Sequence, residues 1–450
     1  MPRLLLCAAA LLVVHGSSDT ELPRPPGVEL ARVTPPLRWT EPSVAIDPTA
    51  PGHVLVAYQD PVHVAYSRDS GRTWTGEVSV APPNYRVSGD VSVAFDNAGR
   101  AFLCYIAFDR LGTTDYWAHN ATRNGVFVRR SQDGGVSWDS GAAVIAASPT
   151  KPGIPFEDKP YIVADNSSGP HRGNLYVGWT RFTLDSSYLL FSRSTDHGGT
   201  WSPPLRISTR SGLPRDDNGS VEGFTGAVGS DGTLYVVWAD GAHVVFTTSA
   251  DGGRHFAPSH PVISTAASYF KVTDVDRANG FPQIGIDPKS NRLWVSWADY
   301  RNGDADVFVS TSVDRGRTWS TAVRVNTDSV HNGDDQFFQW LAVDPATGAG
   351  NLVFYDRRRD PANRRIDIVL ARSTDGGRSF RNYGWTDSAF EAGDEFIGDY
   401  SGLAALGGRV YGAWTEVDTT TTAGGRAPGG GSRHALIRVG VADFGHGAAR

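Results

Sequence analysis

The chain alternates short apolar runs with clusters of Gly, Asp, Asn and Pro, and the runs keep a fixed order. A first kind is half apolar and ends in a polar, mostly acidic turn: PSVAIDP, VSVAFDNAG, PYIVADN, TGAVGSDG, PQIGIDP and QWLAVDP. A second kind is almost wholly apolar and rich in aromatics: HVLVAYQD, AFLCYIAFD, NLYVGWT, TLYVVWAD, RLWVSWAD and NLVFYD. Third and fourth runs follow, as in ADVFVSTSVD and WSTAVRVN. β-Branched and aromatic residues bounded by turn formers predict strands. No stretch sustains a helical period. The expectation is an all-β chain built from four-stranded units.

The third and fourth runs are joined by one motif, Ser-x-Asp-x-Gly-x-x-Trp/Phe. It occurs six times, with its Asp at positions 69, 133, 196, 251, 314 and 375. So regular a period marks a repeat architecture, and four short strands per unit describe the blades of a β-propeller. Gly permits the left-handed backbone of a tight turn. Ser and Asp side chains bond to turn amides, and the aromatic folds back into the blade. Six equivalent turns cannot all reach one active site, so the motif reads as structural. A seventh unit lacks it: DYSGLAALGG (399–408), RVYGAWTE (409–416) and HALIRVGVADF (434–444), with no fourth run after them. GVELARVTPP (27–36) is a fourth strand with no unit before it. Placing it in the last blade closes the ring and removes the exposed edges of an open one. Seven blades are favoured over six, in one propeller domain spanning 27–445 with a tail at 446–450.

Composition changes this picture little. Gly 51 and Trp 13 against Met 1 suit strands and turns, and a net charge of -6 offers no basic footprint for nucleic acid. The start, MPRLLLCAAALLVVHGSS, has the charge, apolar run and small residues of a signal peptide over 1–18. Secretion, to the extracellular space or periplasm, is therefore expected, with no transmembrane segment in the mature chain. Cys104 is left alone, so no intrachain disulfide forms. Asn120, Asn166 and Asn218 begin glycosylation sequons.

Turns of a four-stranded meander alternate between two faces. The six motifs share one face, and the ionisable residues gather on the other. First-strand starts offer Glu41, Asp90, Asp158, Glu222, Asp335 and Asp399. Second-strand ends offer Asp60, Asp109, Asp240, Asp299, Asp356 and Glu416, with Arg110, Arg181, Arg301 and Arg357 near several of them. The long loops 109–125, 208–220, 266–280 and 356–365 lie there too, where a rigid scaffold usually carries function. Carboxylates crowded round an axis can exchange protons, bind Ca²⁺ or pair with the arginines. No EF-hand or zinc spacing picks a metal, and no cofactor is required. Tyr116, Trp117 and Tyr269 in these loops could stack on sugars.

The six motifs resemble the Asp-box, or bacterial neuraminidase repeat, of the sialidase superfamily and its secreted sialidase-like relatives. DYSGLAALGGRVYGAWTE resembles that family's Tyr-Ser-x-Leu segment. The resemblance implies Tyr400 as nucleophile, one of the known exceptions to carboxylate nucleophiles in glycoside hydrolysis. It implies Asp60 as acid/base, Glu222 as the residue that takes the tyrosine proton, and Arg301, Arg357, Arg38 and Arg181 as substrate clamps. The family's Phe/Tyr-Arg-Ile-Pro element departs here: RWTEPSVA puts Thr40 at the Arg position, with Arg38 two residues away. Two functions follow. One is an exo-acting, sialidase-like glycoside hydrolase. The other is a non-catalytic extracellular propeller that binds glycan or protein. In either case the expected partner is an extracellular glycan or glycoprotein, and the expected state a monomer.

Overall fold

The computed structural model describes residues 21–59, 61–79, 85–110, 121, 123–147, 155–418 and 434–445. The signal segment, Asp60, Tyr116, Trp117, Asn120 and the tail 446–450 lie outside them. The described residues form seven four-stranded antiparallel sheets and one two-stranded ribbon, Tyr269–Phe270 with Ala278–Asn279. No helix among them is long and apolar enough to cross a membrane. The seven inner strands are Thr40–Ile46, Val87–Phe95, Phe156–Ala164, Val221–Val228, Gln283–Asp287, Gln336–Val343 and Gly402–Leu406. Each packs against the inner strands of both neighbouring blades, so the ring is closed and has seven blades.

Closure uses the N-terminal strand, as the sequence pattern requires. Glu29–Arg32 pairs with Ala435–Asp443 in the last blade, in register from Glu29 opposite Val441 to Arg32 opposite Arg438. Val33 N–H then donates to Ile437 O at 2.9 Å. The second strands are largely apolar because they are covered on both faces by adjacent blades. Val54–Gln59, Ala101–Phe108, Leu234–Asp240 and Gly350–Asp356 are buried at every position. Trp179, Trp238, Trp294, Trp297, Trp385 and Trp414 fill the gaps between blades. Cys104 is a buried strand residue.

The six Ser-x-Asp turns all join third and fourth strands and share one hydrogen-bond pattern. In the fifth copy the Ser312 hydroxyl donates to Asp314 at 2.8 Å and accepts from Gly316 N–H at 2.9 Å. Asp314 also accepts from the Thr318 N–H and hydroxyl at 2.9 and 2.5 Å, and Trp319 Nε1 donates to Gly316 O at 3.1 Å. Thr318 and then Ser312 hold the Asp314 carboxyl down at about 2, and Thr73 and Ser67 do the same for Asp69. This part of the stability is present above the unfolded carboxyl range and is lost as pH falls towards 2. Ser312→Ala leaves a buried turn amide without its acceptor. It is expected to lower unfolding free energy by about 1–2 kcal/mol, read by chemical denaturation, with no change at the opposite face.

Candidate functional site

The inner strands do not run straight into the axis. The pairing of inner with second strand slips between Thr40 and Ser43, Gly89 and Ser92, Asp158 and Tyr161, Glu222 and Thr225, and Phe337 and Trp340. Each slip is a bulge with a left-handed residue: Glu41 (φ 53°), Asp90 (φ 50°), Lys159 (φ 46°), Gly223 (φ 80°) and Phe338 (φ 51°). Four of these five are not glycine, and such strained backbone gathers at functional sites. The bulge re-aims side chains that plain alternation would send into the blade. In the two remaining blades the equivalent positions, two residues before the first ladder pair, are Phe281 and Tyr400.

These side chains meet on the axis. Lys159 crosses it, with its ammonium 4.9 Å from the Phe281 ring centre and 4.6 Å from that of Tyr400. It makes no ion pair among the described residues. Gln59 joins two blades, donating to Glu41 and accepting from Asp90 N–H at 2.5 Å. A Cβ at Gly89 would lie 2.0 Å from the Gln59 amide oxygen, so only glycine admits that amide. Glu41 also accepts from Asp399 N–H at 3.1 Å, and Asp90 from Lys159 N–H at 2.9 Å.

Two inter-blade loops close over this floor. The ribbon loop supplies Tyr269, whose hydroxyl donates to Glu222 Oε2 at 2.9 Å. The Ser220 hydroxyl donates to the same oxygen at 3.1 Å. The ribbon also supplies Arg277, which donates to Asp216 at 2.9 Å and forks onto both oxygens of Asp399. Asn218 clamps the ribbon: its side-chain oxygen accepts from the Ser268 and Tyr269 N–H groups, and its amide donates to Tyr269 O at 2.9 Å. Asn166 likewise spends its side chain between blades, on Asn97 and Phe95.

Six carboxyls (Glu41, Asp90, Asp158, Asp216, Glu222 and Asp399) thus face two cations, Lys159 and Arg277. Burial, then Asp90 and Asp399, push Glu41 well above its usual range. Burial, then Asp90 and Asp216, do the same to Asp158. Burial and then Asp216 lift Glu222 to about 8. Burial opposes the Lys159 charge, but Asp399, Asp90, Glu222 and Glu41 outweigh it and raise that group. Tyr400 is raised well above 10 by burial and by Glu41, Asp90 and Asp399.

Five of the six first-strand carboxylates read from sequence therefore converge. The sixth, Asp335, lies further out, accepting from Ala305 N–H and the Asn363 amide. Tyr400 and Glu222 share the funnel, yet the tyrosine bonded to Glu222 is Tyr269. The Tyr400 hydroxyl has no hydrogen-bond partner among the described residues. The four arginines assigned as clamps are held elsewhere. Arg181 is held by Glu157, and Arg301 by Asp299 at 2.6 Å. Buried Arg357 donates to Asn363 O and Thr273 O at 2.6 and 2.8 Å and so pins the ribbon loop. Arg38 is exposed beside Ala435, in the last blade. For Arg301 the reason is local: a carboxylate ending a second strand closes an ion pair with the arginine two residues on, as Asp356 also does with Arg358 at 2.6 Å. Sequence reasoning passed over Arg277 and Lys159. Lys159 is a lone cation among acidic strand starts, whereas Arg277 shares its loop with Lys271, Asp274 and Asp276 and does not stand out there.

Asp158, Asp216 and Glu222 each offer an oxygen within 4.8 Å of the others, the one metal-sized group among the described residues. Arg277 and Tyr269 already occupy two of its members. Adding Ca²⁺ is expected to leave the thermal midpoint unchanged. A concentration-dependent rise would assign the triad to metal instead.

No family model and no curated protein matches the chain. Among solved structures it is similar to phage phi92 endosialidase, at 11% identity and TM-score 0.52, over 92% of this chain and 69% of that one. It is similar to an ulvan lyase bound to -[GlcA(1-4)Rha3S]-, at 11% identity and TM-score 0.50, over 91% and 95% of the two chains. Hadza microbial sialidase Hz136 is 17% identical, with TM-score 0.49 over 88% and 75%. What the chain shares with the first two is the fold, a β-propeller.

Proposed function

We propose that the axial funnel is a carbohydrate site and that it cleaves a glycosidic bond. The observation that carries this reading is the Tyr269–Glu222 hydrogen bond, 2.9 Å long, above a floor of buried carboxyls. A tyrosine becomes a nucleophile when a base takes its proton, and a base titrating near 8 is matched to that task at neutral to mildly alkaline pH. In the proposed step Tyr269 Oη bonds to the anomeric carbon while its proton passes to Glu222. The bond to the leaving oxygen breaks, and that oxygen takes the proton that Asp158 holds. Water then attacks the anomeric carbon of the glycosyl-tyrosine. Its proton returns to Asp158, and Tyr269 leaves and recovers its own from Glu222. Two displacements give net retention. Tyr400 and Lys159 form the wall, where Lys159 donates to sugar oxygens. No cofactor enters.

The structural neighbours support the reading in kind, since their names record action on glycans. The charge pattern changes the expected substrate. Arg277 is spent on Asp216 and Asp399, which leaves the funnel no free guanidinium to clamp a sugar carboxylate, so neutral glycosides fit better than sialosides. Export from the cell, implied by the leader, would place this activity on extracellular glycans. The test is release of a fluorogenic phenol from a panel of neutral and acidic glycosides by wild type, Tyr269→Phe and Tyr400→Phe. Loss of about 10²-fold or more in kcat for Tyr269→Phe, with a smaller effect for Tyr400→Phe, is expected. The reverse order would return the nucleophile to Tyr400. No turnover with retained glycan binding would leave a binding propeller.

A further inference from the structure

Beside the funnel, on the same face, a cleft of about 400 Å³ runs outward from Tyr269. Its walls are Phe270, Lys271, Tyr300, Asp304 and Asp335. Tyr269 is the shared partition: its hydroxyl faces Glu222 in the funnel and its ring borders the cleft. Tyr300 is 44% exposed and is the one aromatic among the large apolar side chains exposed in the described residues. Its ring is braced edge-on by Phe270, with centres 6.3 Å apart at 73°. A rigid, braced and wet aromatic ring costs burial energy unless something covers it.

A second observation points to the same ligand. Asp304 is only 4% exposed. One of its oxygens accepts from Gly333 N–H at 2.7 Å, and the other has no hydrogen-bond partner. A buried acceptor left unmade is costly and asks for a donor. Asp335, by contrast, has both oxygens satisfied. The cleft therefore presents an aromatic face and a lysine, with one unpartnered carboxylate oxygen buried just beneath its wall. A pyranose or furanose ring offers what these lack: an apolar C–H face for Tyr300, a hydroxyl proton for Asp304 and a ring or hydroxyl oxygen for Lys271. With Asp304 and Asp335 set against Lys271 alone, the cleft has no excess of cations to attract an acidic sugar.

We propose that this cleft is a subsite for the second residue of a neutral oligosaccharide whose end residue lies in the axial funnel. The inference rests on the funnel being a carbohydrate site and adds to it the chain length and charge of the ligand.

The test uses the full mature chain and ladders of neutral oligosaccharides of one to four residues (arabino-, xylo-, cello- and malto-series), titrated calorimetrically. For the series that binds, affinity is expected to rise at least tenfold from one residue to two. Tyr300→Ala should abolish that rise while leaving the single sugar's affinity unchanged, and Tyr300→Phe should keep it. Tyr300 is a surface residue, so both variants should fold, which the unchanged single-sugar affinity also checks. Binding of the single sugar without a gain in length overturns the subsite alone. An equal loss at every length in Tyr300→Ala also overturns it. Failure of every ladder to bind wild type overturns both the subsite and the funnel reading.

Discussion

Glu222→Gln is expected to abolish turnover and at the same time to make the protein more stable as pH rises from 4.5 to about 8. The first half follows from its place: Gln still meets Tyr269 but cannot take its proton, a loss of about 10²–10⁴ in kcat. The second half follows from linkage. The folded carboxyl titrates near 8, whereas the unfolded one titrates near 4.5. Below 4.5 both states hold the proton and the group costs nothing. Between the two values the unfolded chain releases it and the fold does not, so wild type loses stability as pH rises. Above 8 the cost is constant. Gln carries no such proton, so the variant's advantage grows across that window. It should reach roughly 2–4 kcal/mol at pH 8, less than the full shift because an amide accepts more weakly from Tyr269 and Ser220. Thermal melts at pH 4.5, 6 and 8 read the stability, and the glycoside panel reads the activity. A variant less stable than wild type at pH 8 would mean that Glu222 is a structural acceptor and not a poised base.

Arg277→Met is expected to have the opposite sign of effect on stability. The guanidinium ties the ribbon to the loop at Asp216 and to the entry of the last blade at Asp399. Removing it leaves two carboxylates facing each other beside four more. Truncating one partner of a buried ion pair costs several kcal/mol. Here the arginine side chain is 29% exposed, so the loss is discounted to about 2–3 kcal/mol. The deficit should shrink as pH falls, because protonating Asp216 and Asp399 relieves the repulsion that the variant exposes. Activity should fall too, since Tyr269 rides on the same ribbon. Denaturant unfolding at pH 5 and pH 8 checks the sign. An equal deficit at both values would show that packing, not charge, is what Arg277 supplies.

Some of this was legible in the residues, and the particular cases show why. The blades were readable because alternation, apolar runs and turn formers act within a few residues of each other. Ser312, Asp314 and Gly316 bond to one another inside a single turn. The acid-rich face was readable for the same reason, since every first strand begins at an equivalent place. The arginines were not. Arg301 lies two residues from Asp299, a separation the sequence displays, but whether it would fork onto that neighbour or reach for the axis depends on which side of the bend each side chain leaves.

The chain's own pattern thus determined the seven-bladed ring, the strand that closes it, and the face on which ionisable groups collect, all consequences of local pairing and turn geometry. Only the tertiary structure decided which groups meet. Glu41 accepts from Asp399 across a separation of 358 residues because ring closure brings the first and last blades together. The bulges aim Lys159 between Phe281 and Tyr400 and leave Glu222 bonded to Tyr269. Proton affinity in such a cluster is set by burial and by neighbours' charges, which are properties of positions in space that no stretch of sequence contains.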